Sequence, residues 1–192
     1  MKVCQTLRRL AHAAFIAAVV LALGGAGLGE EQQPLLVSSN TTTVDGVVHE
    51  DEYSYSHDYG FLKLYANRSS DTLYLGVVAH TTGWVAVGLG SLKMDGATIF
   101  MGVIEPDGTV RLKPQTGTGH THGDVYGDAP STVVAYAMKE ADGKTTLEIA
   151  LRSAAYIRSG QSHLDLIFAM GQRKDLSERH VFRSSLRLKL RQ

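Results

Sequence analysis

The chain of 192 residues balances 19 Lys and Arg against 19 Asp and Glu, so its formal net charge is zero. With no basic surplus to neutralise a phosphate backbone, a nucleic-acid partner held by bulk electrostatics is excluded. The single cysteine, Cys4, excludes an internal disulfide, an iron–sulfur cluster, a thiolate zinc site and a covalently attached c-type haem.

The length suffices for one domain with a sizeable core. Glycine is abundant at 20 and proline scarce at 4, which suits many tight turns and not a disordered linker. Lys2, Arg8 and Arg9 precede an apolar run over residues 10–23, broken only by His12, and small residues follow as far as Gly29. That is the pattern of a signal peptide over residues 1–29, and it predicts a secreted or periplasmic protein. An uncleaved signal would anchor the chain to a membrane instead, although the run falls short of the about 20 residues of a full span. Cleavage would remove Cys4 and three positive charges, leaving a slightly acidic chain. Residues 30–43 read as a flexible leader and residues 44–192 as one domain.

Asp45-Gly46 is a turn signal, and Tyr53 and Tyr55 then alternate like the edge of a strand. Short strands are predicted over 61–66, 72–80, 84–90, 97–104, 109–113, 133–139, 145–151, 163–170 and 181–190. A long loop is expected over 114–131 and one helical turn over 153–160. In the strand after Gly83, Trp84, Ala86 and Gly88 take one face and Val85, Val87 and Leu89 the other. Asp142-Gly143 closes a hairpin, and the last strand alternates Leu186, Leu188 and Leu190 with Arg187, Lys189 and Arg191, one face for the core and one for water. About nine to eleven short strands with turns between them predict an all-β fold, an antiparallel β-sandwich of immunoglobulin-like architecture.

The block Gly83-Trp84-Val85-Ala86-Val87-Gly88-Leu89-Gly90, followed by Met94-Asp95-Gly96-Ala97, resembles the DOMON domain. Weaker matches are Val44-Asp45-Gly46-Val47, Leu73-Tyr74-Leu75-Gly76-Val77, Asp107-Gly108 and a late histidine, His180. The similarity extends over about residues 44–190. Domains of this family are secreted β-sandwiches. Some bind b-type haem and carry electrons, as the cytochrome domain of cellobiose dehydrogenase does, and others are thought to bind sugars. The resemblance implies Met94 and His180 as axial ligands of a non-covalent haem b, with a secreted or membrane-bound redox protein as partner. Thr98 departs from the acidic residue often found after the Gly-Ala pair, and Val181-Phe182-Arg183-Ser184 lacks an expected glycine.

A thioether and an imidazole suit low-spin iron, and full six-coordination favours electron transfer over oxygen chemistry. His163, which opens the apolar run of residues 163–170, is the competing imidazole. His120, His122 and Asp124 would share one face of an extended segment and form a secondary metal site. Trp84, Tyr53 and Tyr126 are candidate pocket-lining aromatics, which would stack on a pyranose ring if the ligand were a carbohydrate or small molecule and not haem. Asn40-Thr41-Thr42 and Asn67-Arg68-Ser69 match the N-glycosylation sequon. No hydrolase elbow, zinc-protease helix or phosphate loop is present, so an electron-transfer or ligand-binding domain is expected and not an enzyme.

Overall fold

Alternation of apolar and polar side chains builds most of this chain as strands. The computed structural model describes residues 33–39, 42–125 and 129–191. Residues 1–29, read above as a signal peptide, lie outside the described residues, as do Asn40 and Tyr126. Eleven strands are described: β1 Tyr55–Asp58, β2 Leu62–Arg68, β3 Thr72–Ala79, β4 Val85–Leu89, β5 Thr98–Ile104, β6 Val110–Thr118, β7 Thr121–Asp124, β8 Val133–Ala141, β9 Lys144–Arg152, β10 His163–Met170 and β11 Phe182–Lys189. They form two antiparallel sheets, ordered β1-β2-β3-β9-β8 and β11-β10-β4-β5-β6-β7. The predicted β-sandwich is therefore the observed fold. Among the described residues no helix is long and apolar enough to cross a membrane.

The main core lies between the sheets. Leu62, Leu64, Leu73, Leu75, Val77, Leu147, Ile149 and Leu151 from one sheet meet Val85, Val87, Leu89, Phe100, Leu164, Leu166 and Phe168 from the other. Each set follows the period of two that a strand imposes. The Leu/basic alternation of β11 holds, with Leu188 buried and Arg187 and Lys189 exposed.

Two expectations change. The predicted loop over 114–131 contains the end of β6 and all of β7, a hairpin turning at Gly119-His120. Its richness in Gly, Thr, His and Asp made that stretch read as loop, and it opens on Pro114. Pro114 opposes Phe100, out of phase with the bonded Ala97–Gly117 pair, so its missing N–H faces away from β5 and past the end of β7. The second change is in the leader. Leu35 is fully buried, bridges Leu190, and exchanges backbone hydrogen bonds with Lys189 and Arg191, so this part of residues 30–43 is docked on the sandwich.

The next segment, 42–53, crosses the outer face of the five-stranded sheet and is pinned there by Glu148 of β9. Glu148 is fully buried. Its carboxylate accepts the N–H of Asp45 at 3.1 Å, the N–H of Gly46 at 2.8 Å and the hydroxyl of Tyr53 at 2.6 Å. Asn67 donates to Thr42 at 2.8 Å and is itself buried, so this sequon asparagine serves packing. Removing the carboxylate would strand three donors. Glu148→Ala should therefore destabilise the fold by about 3 kcal/mol, measured as a lower urea midpoint at unchanged slope.

Glu148 also sets a pH dependence. Burial pushes its carboxyl above the ordinary 4.5, against the lowering effect of its three donors. An acid raised in the folded state stabilises fully below its unfolded value, and this contribution is lost as pH rises through the folded value. Wild-type stability should therefore lose one component as pH climbs from about 4.5. The difference between wild type and Glu148→Gln, followed by urea unfolding across that window, should show it.

Candidate functional site

The outward face of the six-stranded sheet is apolar as well, and this is where the site lies. Trp84, Ala86, Ala97, Ile99, Met101 and Val103 form a second buried cluster, with Met94, Ile167, Ala169 and Leu176 against it. Cross-strand register explains the floor. Ile167, Gly88, Ile99 and Gln115 stand opposite one another across β10, β4, β5 and β6, and the next row is Ala169, Ala86, Met101 and Lys113. Opposed residues share a face, so these two rows make one surface. Ile167 lies across Gly88 so closely that a Cβ there would come within 2.7 Å of its Cγ1, which requires glycine at the centre of the floor. A cleft of about 1740 Å³ opens above it. The space between the two sheets is filled by core, and the cleft is on the outside of one.

Two loops supply the walls. The β4–β5 turn carries Met94 and is bound to the β6–β7 hairpin: Gly96 N–H to Gly117 O at 3.1 Å, Gly117 N–H to Ala97 O at 2.9 Å, and Gly119 N–H to Asp95 Oδ1 at 2.8 Å. Met94 crosses directly over Gly117, where a Cβ would stand 1.7 Å from the Met94 carbonyl oxygen. The β10–β11 connection, residues 171–181, carries His180. It is held by Trp84, whose indole lies on Gly171 so tightly that a Cβ there would fall 2.0 Å from Nε1, and by backbone hydrogen bonds Gly171 N–H to Trp84 O and Trp84 N–H to Arg173 O.

The sequence candidates divide accordingly. Met94, His180, His120, His122 and Trp84 all line the cleft. Trp84 is only 3% exposed, so it braces the His180 loop and offers no stacking face. Tyr53 is on the opposite sheet, its hydroxyl bound to Glu148. His163 stands at the far end of β10, facing Ser162 Oγ at 2.9 Å in a separate depression. The proposed secondary site does not assemble. Among the described residues no group of three His, Cys, Asp or Glu is placed to hold a metal ion. His120 falls in the turn, and the Asp124 side chain is 96% exposed and lies 3.8 Å from Lys113. Sequence reasoning missed Gly117, Gly171 and Gln115, because close backbone approach leaves no composition signal.

The electrostatics suit a ligand that needs neutral bases. Burial holds the His180 ring below the ordinary 6.5, helped by Arg183 and Arg179 and slightly by His122. Burial and Lys113 do the same for His122. Both rings are then neutral at pH 7, with lone pairs free to donate. Buried polar atoms without a hydrogen-bond partner among the described residues gather here: Trp84 Nε1, Gln115 Oε1, His122 Nδ1 and Glu178 Oε2 all belong to cleft-lining residues. Native interiors rarely leave such atoms unsatisfied, so the cleft carries the marks of a binding site.

Comparison with solved structures gives the fold. The cytochrome b domain of pyranose dehydrogenase from Coprinopsis cinerea matches with a TM-score of 0.53 at 12% identity, over 71% of this chain and 81% of that domain. This chain has the fold of a cytochrome b domain. The resemblance to DOMON domains carried by residues 83–97 thus holds at the level of the fold. Two further similar structures are the cytochrome domain of Myriococcum thermophilum cellobiose dehydrogenase, TM-score 0.49 at 11% identity over 71% of this chain and 81% of that domain, and a family 9 carbohydrate-binding module from Caldicellulosiruptor kristjanssonii in complex with glucose, TM-score 0.48 at 11% identity over 80% and 85%. No protein-family model and no curated protein matches the sequence.

Proposed function

We propose that this protein holds one haem b non-covalently in the outer-face cleft, with Met94 and His180 as axial ligands, and passes electrons outside the cytoplasm to a secreted or membrane-bound redox protein. The observation that carries this reading is that two residues far apart in sequence, a thioether and a neutral imidazole, line one cleft with a flat apolar floor. When bound, such a group supplies reversible one-electron iron chemistry.

The residues present fit it. Gly88 and Ala86 keep the floor low, Ile99, Met101 and Ile167 make it apolar, and Lys113 and Arg183 line the same cleft and would supply cations for a porphyrin's carboxylates. The cleft exceeds the about 300–1,000 Å³ of a common small-molecule pocket, which suits a large planar ligand. Export rests on residues 1–29. A carbohydrate ligand is the alternative, but the described cleft residues expose no stacking ring: Trp84 is 3% and Phe168 2% exposed.

Titrating the purified protein with haem tests the reading. Uptake should saturate at one equivalent, with sharp α and β bands on reduction. A protein that takes up no haem, or leaves it spectrally free, removes the proposal and turns attention to sugars.

A further inference from the structure

His122 has a place in the cleft that the two-ligand reading does not use. It lies in β7 opposite Gly117, the residue over which Met94 crosses. Opposed residues in an antiparallel pair hold their Cβ atoms about 4.5–5.5 Å apart, so Met94 and His122 occupy the same wall. The other wall, the β10–β11 connection, carries His180. The His122 ring is half-buried and lines the cleft, and its Nδ1 is buried with no hydrogen-bond partner among the described residues. Asp124 is almost fully exposed beside Lys113 and makes no hydrogen bond to it. Of the cations near the ring, Lys113 favours its neutral form.

We propose that His122 is a reserve axial ligand, standing on Met94's side of the cleft so that one wall offers both a thioether and an imidazole to the coordination position facing His180. This rests on the haem reading. Imidazole and thioether are both competent low-spin ligands, and the thioether gives the higher reduction potential. The wall therefore holds two ligands of different donor strength, and the one engaged sets the potential. Loss of the thioether, for example by oxidation of Met94 to its polar sulfoxide by a peroxide, would leave His122 to complete the pair with His180.

The test uses haem-loaded protein and three variants: Met94→Leu, which nearly conserves volume, His122→Leu, and the two combined. Spin state is read by visible and electron paramagnetic resonance spectra, and potential by redox titration. Met94→Leu should stay low-spin with a lowered potential, His122→Leu should turn high-spin once peroxide oxidises Met94 where the wild type stays low-spin, and the double variant should become high-spin and return to low-spin when free imidazole is added. A high-spin Met94→Leu protein, or a low-spin double variant, overturns the role of His122 while leaving haem binding intact. Failure of the wild type to take up haem overturns both.

Discussion

His180→Ala should abolish stable haem retention, weakening affinity by more than about 100-fold. Disturbing a residue that merely orients a metal ligand already costs about 10–100-fold, and His180 is proposed to be a ligand itself. The structure also says why the loss should stay local. The β10–β11 connection is fixed by Trp84 against Gly171 and by the Arg173–Glu178 ion pair, not by the half-buried His180 ring. The variant should therefore unfold within about 0.5 kcal/mol of wild type, as substitutions away from the packed core do. Haem titration with a parallel urea melt checks both halves. Retained wild-type affinity would remove His180 from the ligand set and reopen the question for the other imidazoles.

Gly117→Ala should act on Met94 without touching its side chain. The added Cβ would stand 1.7 Å from the Met94 carbonyl oxygen and 2.6 Å from its carbonyl carbon. Those are backbone atoms, the oxygen accepting the Ala97 N–H within a turn that is itself hydrogen-bonded to β6 through Gly96 and Ala97, so no flexible tip can move aside. The turn must lift off the hairpin, at a cost of about 2 kcal/mol typical of overpacking. With the sulfur displaced, haem affinity should fall at least about 10-fold, and the potential should move towards that of Met94→Leu. Gly123→Ala in the same hairpin is the control, because nothing lies within 4 Å of its Cβ position and it should be neutral. Equal behaviour of the two alanine variants would show that the Gly117 contact does not position the thioether.

How much of this was legible in the sequence follows from particular residues. The period of two in β4 sorted Trp84, Ala86 and Gly88 from Val85, Val87 and Leu89 correctly, and the bounds of β10 and the β8–β9 hairpin at Asp142-Gly143 were readable from pattern and turn chemistry. Which face of β4 looks inward was not readable. All of Val85–Leu89 is buried and β5 is buried across Ile99–Val103, so both faces are apolar and alternation carries no sign. The position of the cleft, outside the sheets and not between them, was therefore not legible in the strand pattern. The set of His120, His122 and Asp124 does not come together for a different reason. Proximity in sequence suggested a shared metal, whereas His120 falls in the turn and Asp124 is almost fully exposed beside Lys113. The roles of Gly117 and Gly171 arise from chain crossings between distant segments, which no local pattern encodes.

X-ray absorption at the iron edge of the haem-loaded protein tests the central claim most directly. One sulfur scatterer in the first shell of the wild type, absent in Met94→Leu, is the result this account predicts. A first shell of nitrogen alone in the wild type, or sulfur that persists after Met94 is replaced, would contradict it.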